Sequence, residues 1–202
     1  MKIGIMGGTF DPVHNGHLTL AEYACQDFHL DQVWFMPNGN PPHKDNKNIV
    51  STPRERARMV SLAISGYRNF RLEDYELRRK DVSCSYRTME HFRELYPQHH
   101  FYFIIGADSL FSIEQWVHVE RLFPTCTILA AYRDDKSSRE VMGRQIRMLT
   151  GKYGADIRLL NTPLVDVSSH ELRRMLKARE DVGGLMPKAV LDYIYRNRLY
   201  TS

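Results

Sequence analysis

Two histidines three residues apart, His14 and His17, close the stretch GGTFDPVHNGH, behind a glycine pair and a Thr-Phe-Asp-Pro turn. An imidazole N–H can donate to oxygens that gain charge when phosphorus is displaced. Glycines let backbone amides approach a ligand with no Cβ in the way. The stretch lies between an apolar run, KIGIM at 2–6, and a helical pattern that begins near Gly16. A strand ending in Gly7-Gly8 and a helix start with unpaired amides make an anion site, and phosphate is the usual occupant. Two imidazoles above such a pocket suit phosphoryl or nucleotidyl transfer, which asks mostly for alignment and charge stabilisation and needs no covalent intermediate. A metal reading competes, with HxxH joined by a third histidine such as His43, although no HExxH or Cys/His array accompanies it. A capping or core role for either imidazole is the plainer alternative.

The common phosphate loops do not account for the stretch. GxxxxGK[ST] is absent, and glycines at 4, 7 and 8 do not form GxGxxG. The second apolar run is followed by Pro37 rather than by an acidic residue that would grip a cofactor ribose. Hydride transfer on a dinucleotide is therefore disfavoured.

The elements that must position these residues are legible in the periodicity. KIGIM (2–6), QVWFM (32–36), FRL (70–72), FYFII (101–105), TILAA (127–131) and IRLL (157–160) read as strands, several of them apolar on successive residues as strands buried on both faces are. Amphipathic stretches at 17–28, 53–65, 86–96, 138–150, 169–178 and 187–197 read as helices between and after them. The helix at 53 opens on a capping box, with Thr52 as N-cap, Pro53 at the first position and Glu55 at the third. This alternation predicts a Rossmann-like, doubly wound α/β fold: a mainly parallel sheet with helices on both faces. One domain over 1–202 is expected, with the C-terminal helices (about 168–200) on the same core. The irregular stretch 37–52, PNGNPPHKDNKNIVST, leaves the carboxyl end of a strand, where open parallel sheets bind ligands.

Composition narrows the class further. At 202 residues, 43% hydrophobic and 26% charged, the chain is an ordinary globular one. Its net charge of +4 favours an anionic partner without choosing among nucleotide, nucleic acid and membrane surface. Cys25, Cys84 and Cys126 are scattered with no CxxC, which suits a reducing compartment. No apolar run approaches the roughly 18 residues of a membrane span, and the opening apolar stretch is too short for a signal peptide. A soluble, cytoplasmic protein is expected.

GGTFDPVHNGH closely resembles the signature of the HxGH nucleotidyltransferase superfamily, and the chain is similar, nearly throughout and in order, to the bacterial nicotinate-mononucleotide adenylyltransferases. PNGNPPHK (37–44) resembles that family's loop after the second strand, and IIGADSLFSIEQW (104–116) its most discriminating segment. VSSHELRRML (167–176) resembles the superfamily's second phosphate motif, and LMPKAVLDYIYRNRLY (185–200) the family's usual close. The resemblance implies that ATP and nicotinate mononucleotide give nicotinate adenine dinucleotide and pyrophosphate, with Mg²⁺ carried by the ATP phosphates and no protein metal site.

The resemblance also implies roles. The backbone of Gly8, Thr9 and Phe10 holds phosphate, and His14 and His17 contact the triphosphate, His17 stabilising the α-phosphoryl transition state. Lys44 and Arg173 neutralise the outer phosphates. Gly106 and Asp108 face adenosine, and Ser168 and Ser169 belong to the second phosphate motif. Trp116 covers the pyridine ring, backbone near Ser85 and Val117 receives its carboxylate, and Arg133 lies where the family places a phosphate-binding arginine. Plainer readings stand beside these: a capping box for Ser168 and Glu171, a cap for Asp108, core for Trp116, and solvated surface charge for Lys44 and Arg133. The sequence departs from the family pattern at His170, usually Thr or Ser, at Ser83-Cys84-Ser85, commonly Ser-Tyr-Thr, and at Asp134, often Pro.

Three rival functions remain. One is a related transferase acting on phosphopantetheine or glycerol phosphate. Another is a basic nucleic-acid-binding module built on Arg173-Arg174, Lys177 and Arg179. The third is a catalytically silent nucleotide sensor. Neither nucleic acid nor membrane is expected as a partner, and oligomeric state is left open by the sequence.

Overall fold

The computed structural model describes residues 1–40, 49–133, 136–163 and 167–201, with the side chains of 133 and 136–138 outside the description. Lys44 and His43 therefore lie outside the described residues, and Arg133 is described only as the last residue of a strand.

Six strands form one parallel sheet: β1 (Lys2–Gly8), β2 (Gln32–Pro37), β3 (Phe70–Leu72), β4 (His100–Ile105), β5 (Thr127–Arg133) and β6 (Ile157–Thr162). Their order is β3-β2-β1-β4-β5-β6. All five pairings are parallel, so each connection must cross over a face of the sheet. The chain winds to one side through β2 and β3, then returns to the other side of β1 for β4 to β6. This reversal opens a crevice beyond the carboxyl ends of β1 and β4.

Helices cover both faces. On one lie α1 (Asn15–Phe28), α2 (Pro53–Ala63), α7 (Ser169–Ala178) and α8 (Lys188–Arg196). Their Leu18, Met59, Leu172 and Ile194 share a core with Met6 and Leu129 of the sheet. On the other lie α3 (Ser85–Leu95), α4 (Ala107–Ser112), α5 (Val119–Leu122) and α6 (Lys136–Tyr153). Their Met89, Leu110, Leu122 and Leu149 pack with Ile3, Ile5 and Ile128. In β5, Ile128 and Ala130 belong to the second core while Leu129 and Ala131 belong to the first. That is the period-2 alternation of a strand buried on both sides.

The expected six strands and six longer helices are all present, with ends shifted by a few residues. The α2 capping box is realised in both directions: Glu55 N donates to Thr52 Oγ1 at 3.3 Å, and Thr52 N donates to Glu55 Oε2 at 2.7 Å. The periodicity did not reveal α4, α5 or the short 3₁₀ turns at 76–78, 113–115 and 123–125. Elements of three to six residues span fewer than two turns and carry too few apolar positions to show a period.

Candidate active site

The glycine pair is the end of β1, as the sequence reading places it. Gly7 pairs with Met36 and Gly8 with Pro37, and Asn38 N donates to Gly8 O at 2.9 Å. The left-handed conformation in this stretch falls on Phe10, at φ 52. A bulky residue rarely adopts that geometry, and it survives where the surroundings enforce it. Gly8 shows how: a Cβ there would stand 3.1 Å from the Phe10 ring, so its absence lets the ring fold underneath. Phe10 is buried, and its ring meets His17 edge-on at 4.9 Å. Its side chain is thus the floor under His17, while its backbone turns the chain away from the strand end.

His14 is the N-cap of α1 and His17 the third residue of the helix. Their rings lie 3.8 Å apart at a shallow 33° angle. His14 N donates to His17 Nδ1 at 3.2 Å. Because a neutral imidazole with an accepting Nδ1 carries its proton on Nε2, this bond fixes the tautomer of His17. His14 is 7% exposed. Burial pushes its imidazolium pKa down to about 4, so the ring is neutral at physiological pH. Its Nδ1 is buried and finds no hydrogen bond of proper geometry among the described residues.

The helix start is less open than the sequence suggests. The His14 amide is given to His17, and Asn15 N donates to Leu185 O at 3.0 Å. Anion-binding capacity therefore rests more on what converges from elsewhere, chiefly α7. There Ser168 is the N-cap and accepts from Glu171 N at 3.1 Å. Ser169 Oγ donates to Pro12 O at 2.8 Å, and Arg173 Nη1 donates to Asp11 O at 2.6 Å. The second motif is thus bound to the first across more than 150 residues of sequence. The reciprocal arm of the capping box is missing, since Glu171 instead pairs with Arg174, which also pairs with Glu180. The basic cluster proposed for nucleic acid is accordingly divided: Arg173 turns inward and Arg174 is held between two carboxylates.

A cleft of about 1120 Å³ occupies the crevice and is lined by Gly8, Thr9, His14, His17, Ser85, Gly106, Asp108, Trp116, Val117, Ser168, Ser169 and Arg173. Every expected site residue among the described side chains reaches it except Phe10. Gly106 is the N-cap of α4, with no side-chain cap, so Asp108 sits exposed in the first turn rather than capping it. Trp116 is half-buried and meets Phe103 edge-on at 6.0 Å, so one part of it packs while another faces the cleft. Val117 beside it is 39% exposed. Among the described residues, no three His, Cys, Asp or Glu side chains converge where a metal ion could be held.

Sequence reasoning assigned nothing to Glu76, which also lines the cleft and is 5% exposed. Thr88 Oγ1 donates to Glu76 Oε1 at 2.7 Å, and burial raises the carboxyl above the usual range. Nearby, Ser83 Oγ accepts from the amides of Gly39 and Asn40, each at 3.1 Å, and thereby fixes the chain as it leaves β2. Asp11, Arg56 and Tyr200 were also missed. Asp11 and Tyr200 lie within two of the quoted motifs but received no role, and Arg56 left its own signal on the apolar stripe of α2 with Met59, Val60 and Ala63.

Comparison with known proteins agrees with this fold. The cytidylyltransferase-like family profile matches residues 5–175. A "Probable nicotinate-nucleotide adenylyltransferase" of Clostridium botulinum (strain Loch Maree / Type A3) is 37% identical over 197 residues, 97% of each chain. The protein of that name from Clostridium tetani is 38% identical over 199 residues, 98% of each. Among solved structures, Plasmodium falciparum nicotinic acid mononucleotide adenylyltransferase complexed with NaAD superposes with a TM-score of 0.80. It is 21% identical, and the match covers 98% of this chain and 97% of that one.

Proposed function

Because the chain belongs to the cytidylyltransferase-like family, and within it to the nicotinate-nucleotide adenylyltransferases, we propose that its cleft joins two nucleotides by direct displacement at phosphorus. The protein transfers adenylyl from ATP to nicotinate mononucleotide, forming nicotinate adenine dinucleotide and pyrophosphate in NAD biosynthesis. The 5′-phosphate of the mononucleotide attacks the α-phosphorus of ATP in line, and the bond to the bridging oxygen of pyrophosphate breaks. No residue becomes covalently attached.

One observation carries the mechanism: the His14 amide bond to Nδ1 that leaves the His17 proton on Nε2. A neutral donor held above the end of β1 strengthens its hydrogen bond as charge builds on the α-phosphoryl oxygens, and needs no reorganisation to do so. His14, kept neutral by burial, adds a second imidazole against the triphosphate without a competing charge equilibrium. Backbone at Gly8, Thr9 and Phe10 lies along the phosphate. Arg173, joined by Lys44, offsets the charge of the outer phosphates, and Arg133 that of the mononucleotide phosphate. Ser168 borders the triphosphate, while Ser169, whose proton is given to Pro12, steadies the turn from the same side. Gly106 and Asp108 receive the adenosine, with the Asp108 carboxylate accepting hydrogen bonds from the ribose hydroxyls. Trp116 covers the pyridine ring, and amides near Ser85 and Val117 meet its carboxylate. Mg²⁺ accompanies ATP as part of the substrate, bound by phosphate oxygens, and offsets their charge. The chain acts as one nucleotidyltransferase unit, since α7 and α8 share the core of α1 and β1. It works in the cytoplasm, where its three free cysteines stay reduced.

The test is pyrophosphate release with ATP or CTP, against nicotinate or nicotinamide mononucleotide in turn. The pair ATP and nicotinate mononucleotide is expected to lead. A preference for CTP would overturn the adenylyl assignment, and an acid-to-amide ratio near one would overturn the acid specificity. His17→Ala is expected to lower kcat by roughly 10²–10³, as for loss of one preorganised donor. A kcat within a few-fold of wild type would remove His17 from its role.

A further inference from the structure

Behind the phosphate turn lies a buried polar knot that no step of the reaction uses. Asp11 is 1% exposed. Its Oδ2 accepts from Val50 N at 2.8 Å, and its Oδ1 accepts from Ser51 N at 3.1 Å and from the Tyr200 hydroxyl at 2.6 Å. Ser51 Oγ in turn donates to the Tyr200 oxygen at 2.5 Å, so the phenol's single proton is directed to Asp11. Burial and the adjacent carboxylate push the Tyr200 phenol well above its ordinary range, and the proton stays. Arg56, buried beneath, donates to Thr9 O at 2.8 Å. Arg173 stands on the cleft side of the same carboxylate, 3.9 Å from Asp11 Oδ2.

We propose that Tyr200 is a positioning residue for ATP: by satisfying the Asp11 carboxylate it leaves the remaining donors of the Arg173 guanidinium, anchored on the Asp11 carbonyl, directed to the triphosphate instead of to that carboxylate. The inference rests on the reading of Arg173 given above. A buried carboxylate short of a donor takes the nearest available cation, because an unsatisfied charge is costly in a low-dielectric interior. Of the two arginines, Arg56 is committed to Thr9 and enclosed, whereas Arg173, anchored through Nη1 to the Asp11 carbonyl, is partly exposed and keeps further N–H donors that can pivot about that anchor. Closing its present 3.9 Å separation to a direct hydrogen bond takes a shift of about 1 Å. A misplacement of that size in a substrate-positioning group can cost up to about 10²-fold. The phenol therefore acts on one substrate only, since among the described residues no hydrogen bond of the knot runs to Ser85, Trp116 or Val117.

The experiment is steady-state pyrophosphate release by Tyr200→Phe, with KM measured separately for each substrate and urea unfolding measured in parallel. The ring stays in the core and only the hydroxyl is lost. The expected result is a KM for ATP raised roughly 5- to 30-fold, the equivalent of one buried hydrogen bond, with KM for nicotinate mononucleotide within twofold. Adding Asp11→Asn, which removes the charge that draws Arg173, is expected to recover part of the rise. Should Tyr200→Phe fail to fold, Ser51→Ala removes what orients the phenol and is expected to give the same split at about two- to fivefold. Equal rises in both KM values, or lowered stability with neither KM moved, would overturn the inference. Arg173→Ala separates this from the reading beneath it. If that variant raises the ATP KM and Tyr200→Phe does not, only the positioning role of Tyr200 falls. If Arg173→Ala leaves the ATP KM unmoved, the triphosphate role of Arg173 falls as well.

Discussion

His14 makes the strongest quantitative prediction, because its burial must appear in the acid stability of the whole protein. In the folded state its pKa is about 4, against 6.5 for an unperturbed histidine. Between those two values the unfolded chain binds a proton at this position and the folded protein does not, so stability must fall as the pH is lowered through the window. The full difference of 2.5 pH units corresponds to about 3 kcal/mol, of which about 2 kcal/mol develops between pH 7 and pH 5. His14→Gln removes this titration while keeping a polar side chain of similar reach. Urea unfolding of wild type and variant at matched pH values isolates the effect, since the other groups cancel in the difference. The wild type is expected to lose about 2 kcal/mol more than His14→Gln on going from pH 7 to pH 5, and the gap is expected to level off below pH 4. A flat difference, or a wild type that gains relative stability on acidification, would refute a neutral buried imidazole. With it would go the argument that His14 meets the triphosphate uncharged.

Two other perturbations follow from contacts in the same cleft. Gly8→Ala would place a methyl 3.1 Å from the Phe10 ring, which is 1% exposed and has nowhere to retreat. A loss of about 1–3 kcal/mol in urea unfolding is expected, with a kcat at least about tenfold lower as the floor under His17 shifts. A fully active Gly8→Ala would show that the ring does not set the imidazole. Glu76→Gln keeps an acceptor for Thr88 and removes a carboxyl whose folded pKa lies above its unfolded value. For such a group stability is lost as the pH rises past the carboxylate range, so the variant is expected to unfold at higher temperature than wild type at pH 8 and alike at pH 4. A variant less stable at pH 8 would mean that the anion is better satisfied than its burial indicates.

The signature also shows how local expectation and tertiary fact part company. An HxGH after a strand that ends in a glycine pair reads as an open helix start. In the fold the strand does end at Gly8, but the first amides of α1 are taken by His17 and Leu185. Those amides find partners because residue 185 is brought beside residue 15, an encounter with no trace in the local sequence.

The apolar runs, their spacing and the capping box at Thr52 were enough to determine a parallel, doubly wound sheet. Each follows from period and local hydrogen bonding, which neighbouring residues settle among themselves. The residue types in GGTFDPVHNGH and VSSHELRRML were enough to single out two stretches whose His14, His17, Ser168, Ser169 and Arg173 line one cleft. What only the tertiary structure decided is how that site is charged and braced. The neutrality of His14 comes from burial, and burial depends on which helices cover a residue. The tautomer of His17 comes from a single amide three residues away, at a distance only the folded turn sets. Asp11, Arg56, Arg173 and Tyr200 meet at one point although up to 189 residues separate them. A hydrogen bond is a matter of about 3 Å in space, and separation along the chain carries no record of it.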